Sequence, residues 1–569
     1  MSSILIIAGV IIIFLLGYRF YGGLIERRIV DPRRENATPA VSMKDGVDFV
    51  PAKKAVLFGH HFSSIAGAGP IIGPIVALGS FGWLPALAWI IVGCLFVGAV
   101  HDYLSLMVSV RNRGASIADV AEKTMGKGCK IIFSIFLWAA LVMVVAVFAV
   151  VGAKTLVAKP AMVIPAFSLI LIAVLFGYAL ARRFVSLWLG TILAVCADLI
   201  CIYIGYLYPV PITSEIFGLS PLMFWFVVLL IYAGVASVLP VHILLQPRDY
   251  IATYKLYLAL TLGISAIIVV HPEMNAPAFI TACSTQGPIW PMLFILVACG
   301  AVSGFHSLVA GGTSSKQLAS EKDGRLIGFG AMLTEGVLAA MTLVMVGACL
   351  YWSKPAGLNI DMAQFGFHET LEGGWIVTFG SGFGNLVHQF LPFISFPLAM
   401  LFAMITLNTF VLTSLDTATR VTRFMVQELL GARFRLFSNK YGALLLVLVP
   451  AGWLGITNSW TKIWPLFGAT NQLVAALALF VISAYLIGVK KPVGYTIYPA
   501  FFMIITTVAA LAWQAYHFLA QEEPKTMLGI SSIVLICLAL FVAKEGCQIV
   551  FAKKAPVITT DFEIRRRLD

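Results

Sequence analysis

Charge is what this sequence has least of. Asp, Glu, Lys and Arg make up 11% of its 569 residues, less than half the roughly 25% of a soluble domain. That excludes a water-soluble fold of this length. Enzyme signatures are missing as well: there is no HExxH, Walker loop, GxSxG elbow or CxxCH, so no motif argues for a hydrolase, a nucleotidase or a resident cofactor. The nine cysteines are scattered, with no CxxC and no metal-like spacing. Only Cys283 falls in an expected outer loop, and free thiols packed in helices are the reading for the rest. The run from Ile4 to Tyr18 lacks a basic n-region and a small-residue cleavage site, so it reads as a retained first helix and not as a leader.

What the sequence does have is apolar length. With 60% hydrophobic residues and a mean hydropathy of +0.96, it reads as an all-α polytopic membrane protein. About fifteen runs are long enough to span a bilayer of roughly 30 Å. They extend from Ser3–Tyr21 through Phe58–Gly79, Leu84–Val108, Pro291–Ala310, Phe390–Leu412 and Tyr441–Trp453 to Met527–Phe551. The formal charge of +12 is read as topology and lipid contact, not as nucleic-acid binding, because Lys and Arg fall in alternate loops. Arg27/Arg28, Arg111/Arg113, Arg182/Arg183, Arg248/Lys255, Lys316/Lys322, Arg420/Arg423, Lys490/Lys491 and Arg565–Arg567 mark one side. Acidic loops at Asp361/Glu369/Glu372 and Glu522/Glu523 mark the other. The alternation predicts an outside N-terminus and a cytoplasmic C-terminus.

Two segments do not read as spans. Met362–Val387 is Gly-rich and suits an outer loop or a re-entrant piece. Thr419–Leu430 alternates Arg with apolar residues at helical spacing, which predicts an amphipathic helix on the inner surface, N-capped by Asp416.

The stretch Gly59-His60-His61-Phe62-Ser63-Ser64-Ile65-Ala66-Gly67-Ala68-Gly69-Pro70 is the most informative. Lipid forbids unpaired backbone, so a Gly/Pro interruption inside an apolar run predicts a discontinuous helix lining a cavity. The alternative is an ordinary kinked helix whose small residues serve close packing. His306-Ser307-Leu308-Val309-Ala310-Gly311-Gly312-Thr313 echoes it. The two copies fall on the second and ninth expected helices, hence in opposite orientations, as an inverted-topology repeat requires. This divides the chain into a first helix and basic loop (1–57), a first repeat (58–208), intervening helices (209–289), a second repeat (290–488), and two terminal helices with a basic tail (489–569).

Ionisable residues at membrane depth are the candidates for chemistry: His60, His61, His101, Asp102, Asp198, His242, His306, Glu335, His388 and Asp416. A substrate site is placed at His61, Ser63, Ser64 and the Gly67–Gly69 backbone, facing His306, Ser307 and Gly311. Amides freed at the breaks can hold a carboxylate there. Asn471 and Gln472, in an otherwise apolar helix, either join helices or present amides to a substrate. His61, His101, Asp102, Asp198 and Glu335 are candidates for ion coupling. Asp198 has no positive neighbour in sequence and must be protonated, paired across helices or bound to a cation. A proton needs no ligand cage; sodium would need several oxygens, which carbonyls at the breaks can supply. The remaining classes are a channel and a bis-His haem electron carrier.

The blocks GHHFSSIAGAGPIIGP, VHDYLSLMVSVRNRGASIADVAE, IYAGVASVLPVHILLQPRDYI, ACGAVSGFHSLVAGGTSSKQL, TSLDTATRVTRFMVQELLG and PLFGATNQLVAALAL resemble the carbon starvation protein A family. The resemblance implies an inner-membrane transporter of peptides or pyruvate used during carbon starvation. It also implies a fold similar to the amino acid–polyamine–organocation superfamily, with a LeuT-like five-plus-five inverted repeat; a seven-plus-seven repeat is the alternative. The implied partners are a small carboxylate-bearing substrate and the bilayer.

Overall fold

The computed structural model describes residues 2–33, 35–354, 360–431, 433–457, 460–521 and 525–552. Apart from a two-residue hairpin, Cys283–Ser284 with Gly287–Pro288, the described chain is helical. In chain order the principal helices are α1 (Ser3–Val30), α2 (Lys54–Ile65), α3 (Gly69–Phe81), α4 (Trp83–Arg111), α5 (Ile117–Met125), α6 (Lys127–Ala158), α7 (Pro160–Ala181), α8 (Leu187–Leu207), α9 (Pro221–Val238) and α10 (Leu245–Val270). The second half contains α11 (Ile289–Leu296), α12 (Gly304–Gly312), α13 (Glu321–Cys349), α14 (Trp375–Phe390), α15 (Phe396–Leu430), α16 (Lys440–Ile456), α17 (Trp460–Gly488), α18 (Gly494–Leu519) and α19 (Thr526–Ala552).

Twelve described helices are long and apolar enough to cross a membrane, and α2 with α3, bent by 42°, adds a thirteenth span. The other two of the fifteen expected spans take different forms. Pro291–Ala310 is split among α11, the short helix Ala298–Ala301 and α12. Tyr441–Trp453 lies in α16, a 17-residue helix with Pro450 inside it.

Local chemistry starts and stops these helices. Ser116, Ser186 and Ser220 accept N–H bonds from the residue three further on, capping α5, α8 and α9. Packing sorts them into layers. In α15 and α17, 94% of the apolar window is buried inside the protein, against 28% in α8, so the former are central posts and α8 is peripheral. α15 packs along α6 and α14, α2 along α10, and α3 along α13.

Several polar residues sit elsewhere than their sequence pattern predicts. Thr419–Leu430 is no surface helix: α15 runs unbroken from Phe396 to Leu430, and Arg420 and Arg423 are buried. Arg420 Nη1 lies 2.7 Å from Asp48 Oδ1, so the polar stripe faces protein partners and not lipid headgroups. Asp416 is mid-helix and no N-cap. Arg248 and Lys255, counted above as loop residues, are buried inside α10. His242 lies exposed in the turn between α9 and α10, and His388 is exposed near the end of α14. The Met362–Val387 region forms Met362–Phe365, Phe367–Glu372 and α14, folded against α13 and α15. The acidic pair Glu522/Glu523 and the basic tail Arg565–Arg567 lie outside the described residues.

Candidate functional site

The two discontinuous segments meet at their interruptions. In the first, Ala66 leaves helical geometry and the chain re-enters a helix at Gly69, with Pro70 in the first turn where its missing N–H leaves nothing unpaired. In the second, Val302 and Ser303 are extended between Ala298–Ala301 and α12. A Cβ on Gly69 would come within 2.1 Å of Cys299 Cβ, and one on Gly73 within 2.5 Å of the Leu296 carbonyl oxygen. Only glycine admits this approach. Asn471 of α17 completes the second break: its Oδ1 accepts from Phe305 N–H at 2.9 Å, and its Nδ2 donates to Ser303 Oγ at 3.0 Å.

A cavity of ≈ 590 Å³ leads to this junction. Thr285, Gln286 and His517, beside the helix-end loops, line one part of it; Gly69, Cys299, Phe467 and Asn471, at the breaks, line another. Of the residues proposed for the substrate site, Ala68 and Gly69 of the Gly67–Gly69 backbone and Asn471 line it. The others are packed nearby. His61 Nδ1 lies 2.7 Å from Ser314 Oγ. Ser63 donates to the Asp249 carbonyl at 3.0 Å, and Ser64 to the His60 carbonyl at 2.7 Å. Gly67 faces Ser414, Ser307 donates to the Gly304 carbonyl, and Gly311 lies against Ala115. Gln472 Nε2 lies 3.3 Å from Met503 Sδ.

Behind Cys299 lies a buried relay of titratable groups. His101 Nδ1 is 2.8 Å from Asp102 Oδ1; Asp102 Oδ2 is 2.7 Å from His306 Nδ1; His306 Nε2 is 3.3 Å from Glu335 Oε2. These four side chains are fully buried, and Cys299 Sγ lies 4.0 Å from His306 Nε2. Residues 204 and more positions apart in sequence thus form one buried cluster of titratable groups that begins at the cavity wall.

A second network joins α2, α9, α10 and α15. Arg248 pairs with Asp249 at 2.8 Å and bonds to Asp416 and Tyr232, while its Nη2 donates to Thr413 Oγ1 at 2.9 Å. His60 Nδ1 lies 2.7 Å from Asp249 Oδ2. Asp198, the mid-helix carboxylate without a sequence neighbour, is 3.0 Å from Lys255 Nζ, which also donates to Thr409 at 3.1 Å. Cys299, Asp249, Arg248, Lys255 and Tyr232 were not singled out from the sequence. An Arg-Asp pair beside an apolar run was the available signal, and it resembles a loop.

The sequence matches the family model for carbon starvation protein CstA over residues 1–510. The chain belongs to the CstA family. Its relatives include the peptide transporter CstA of Campylobacter jejuni, 32% identical over 89% of this chain and 79% of that one. They also include the pyruvate/proton symporter BtsT of Escherichia coli, 32% identical over 92% and 83%. Among solved structures, a manganese transporter of Eremococcus coleocola aligns with a TM-score of 0.50 at 12% identity, over 92% of this chain and 99% of that one. MhsT in complex with L-phenylalanine aligns at 0.50 and 13%, over 87% and 99%. Both are LeuT-fold transporters, and at such identities the likeness is of fold. The named relatives are transporters, and this chain, with its dozen apolar helices, is a multi-pass membrane protein.

Proposed function

We propose that this CstA-family chain is a secondary active importer of small carboxylate-bearing nutrients, peptides or pyruvate, driven by the proton gradient across the inner membrane. One observation carries the reading: a cavity large enough for such a substrate ends where two broken helices touch, one residue from a buried proton relay. Its named relatives transport peptides or co-transport pyruvate with protons, which fits both halves. The Asp102–His306–Glu335 chain supplies groups that take up and release protons without a fixed cation, and Cys299 couples their surroundings to the cavity.

Gly69 and Asn471 are the first contacts for the substrate carboxylate, with His61, Ser63, Ser64, Gly67, His306, Ser307 and Gly311 in the packed layer that a change of access would rearrange. His101, Asp102 and Glu335 move the coupling proton, and Asp198 belongs to the same function only if its pairing with Lys255 breaks during the cycle. An inverted repeat is supported by counting. With the shorter α5 and α14 set aside, five elements follow Lys54 (the broken α2–α3, α4, α6, α7 and α8), and five match them after Ile289 (the broken α11–α12, α13, α15, α16 and α17). α9 and α10 lie between them. The N-terminus is outside and the C-terminus cytoplasmic in this reading.

Uptake of pyruvate, dipeptides and tripeptides into proteoliposomes, under imposed proton or sodium gradients, tests the proposal. Saturable accumulation that follows the pH gradient at constant sodium is expected. Accumulation set by sodium at constant pH makes the chain a sodium symporter of the same substrates and overturns the proton assignment; non-saturable flux overturns the transporter reading.

A further inference from the structure

We infer that Cys299, His306 and Glu335 form a binding site for a soft divalent metal ion of the zinc and cadmium type, reached from the cavity. Their ligand atoms all lie within 4.8 Å of one another. Cys299 Sγ is 4.0 Å from His306 Nε2, and His306 Nε2 is 3.3 Å from Glu335 Oε2. Metal bonds of about 2.3 Å to thiolate and about 2.0–2.2 Å to nitrogen or oxygen, at tetrahedral angles, separate ligand atoms by about 3.4–3.6 Å. The His306–Glu335 side already has that spacing, the Cys299–His306 side is within about half an ångström of it, and the third side is no longer than 4.8 Å, so the triangle closes on a metal with side-chain shifts of up to about one ångström.

Two further observations point to a ligand. Glu335 is fully buried, and its carboxylate oxygens make no well-formed hydrogen bond although His306 Nε2 lies 3.3 Å from Oε2; a carboxylate in that state is costly and a cation satisfies it. The orientation of His306 is already set, because Asp102 lies 2.7 Å from Nδ1 and turns Nε2 toward Cys299 and Glu335. His101 in turn holds the other Asp102 oxygen. A carboxylate behind a metal-bound imidazole is the usual way such a ligand is fixed and made more basic. Access is provided by Cys299, which lines the cavity, so a solvent molecule there completes a fourth position.

The donor set also decides the metal. One sulfur, one imidazole nitrogen and one carboxylate oxygen favour zinc-like ions over magnesium or calcium, which want oxygen alone. Binding deprotonates the thiol and takes the Nε2 position from any proton, so it releases protons on loading. An ion held there ties the second broken segment to α13 at the inner end of the cavity. The inference does not depend on the transported substrate.

Cadmium is the probe. The purified full-length chain in detergent is titrated with Cd²⁺ alone while the ultraviolet thiolate-to-cadmium absorption is followed, and bound metal is counted by mass spectrometry after desalting. One equivalent with the thiolate band is expected. Cys299→Ser removes the band, Glu335→Gln weakens binding at least about tenfold, and Asp102→Asn weakens it about 10–100-fold. In the unaltered chain, one equivalent of Cd²⁺ also protects Cys299 from alkylation, read by peptide mapping, which needs no variant to fold. A band that survives in Cys299→Ser, or alkylation of Cys299 unchanged by Cd²⁺, places the metal on another cysteine and overturns the site.

Discussion

Two buried charge networks lie on either side of the first broken segment, and they differ in one respect. Around Asp416 and Asp249 the cation is Arg248, a guanidinium that keeps its charge and is held by Tyr232 and Thr413 as well. Around Asp102 and Glu335 the only cations among the described residues are imidazoles, His101 and His306. The first network, in which His60 also meets Asp249, always holds the Arg248 charge and leaves one carboxylate oxygen, Asp416 Oδ1, unpaired. The second can lose or gain its positive charge with a single proton, and it leaves the Glu335 oxygens without a well-formed hydrogen bond. One is built to hold helices together, the other to change state.

Unfolding measurements in detergent test that contrast, and the expected losses of stability descend in order. Arg248→Ala strands two buried carboxylates and is expected to cost about 5 kcal/mol, enough to prevent recovery of folded protein; near-native thermal stability would show that the network is not a clamp. Asp198→Asn leaves Lys255 buried without its counter-charge, for an expected loss of about 3 kcal/mol. Adding Lys255→Met should recover most of it, and failure of that rescue would separate Asp198 from Lys255. Asn471→Ala frees the Phe305 N–H and the Ser303 hydroxyl at the second break, costing about 1–3 kcal/mol. Because Asn471 also lines the cavity, KM for uptake should rise with it; an unchanged KM would confine Asn471 to joining helices.

Glu335→Gln sits at the small end. It removes a charge that no well-formed hydrogen bond holds, and His306 keeps Asp102 as its counter-charge, so stability should move by less than about 1 kcal/mol. Its effect should instead be on coupling: gradient-driven accumulation falls at least about tenfold while counterflow exchange continues. A loss of stability comparable to that of Arg248→Ala would erase the distinction between the networks.

How far the sequence discloses these features follows from which rule each one obeys. The interruption at Gly67–Pro70 was legible because a bilayer tolerates Gly/Pro breaks only where protein or water receives the freed backbone; the second, expected at His306–Thr313, falls a few residues earlier, at Val302 and Ser303. His101, Asp102, His306 and Glu335 were legible one at a time, as costly residues at depth, but their meeting was not: partners lie up to 204 positions apart, and no local pattern encodes that distance. Charge itself misled in two places. Arg420 and Arg423 recur at helical spacing among apolar residues, which describes a helix on a membrane surface and equally one whose polar stripe meets Asp48 inside the protein. Arg248 and Lys255 were counted as loop residues because an unpaired cation belongs in water; paired with Asp416 and Asp198, they are at home inside α10. The polar residues that could be counted were found, and those that neutralise each other across the fold were hidden by their partners.

The contact between Gly73 and the Leu296 carbonyl has a mechanical consequence. With no side chain between the two segments there, the seam contains no rotamer that could give way. A displacement of one broken helix is passed undiminished to the other, so the junction acts as a fulcrum, and the half-helices on either side of it are the arms of a single lever.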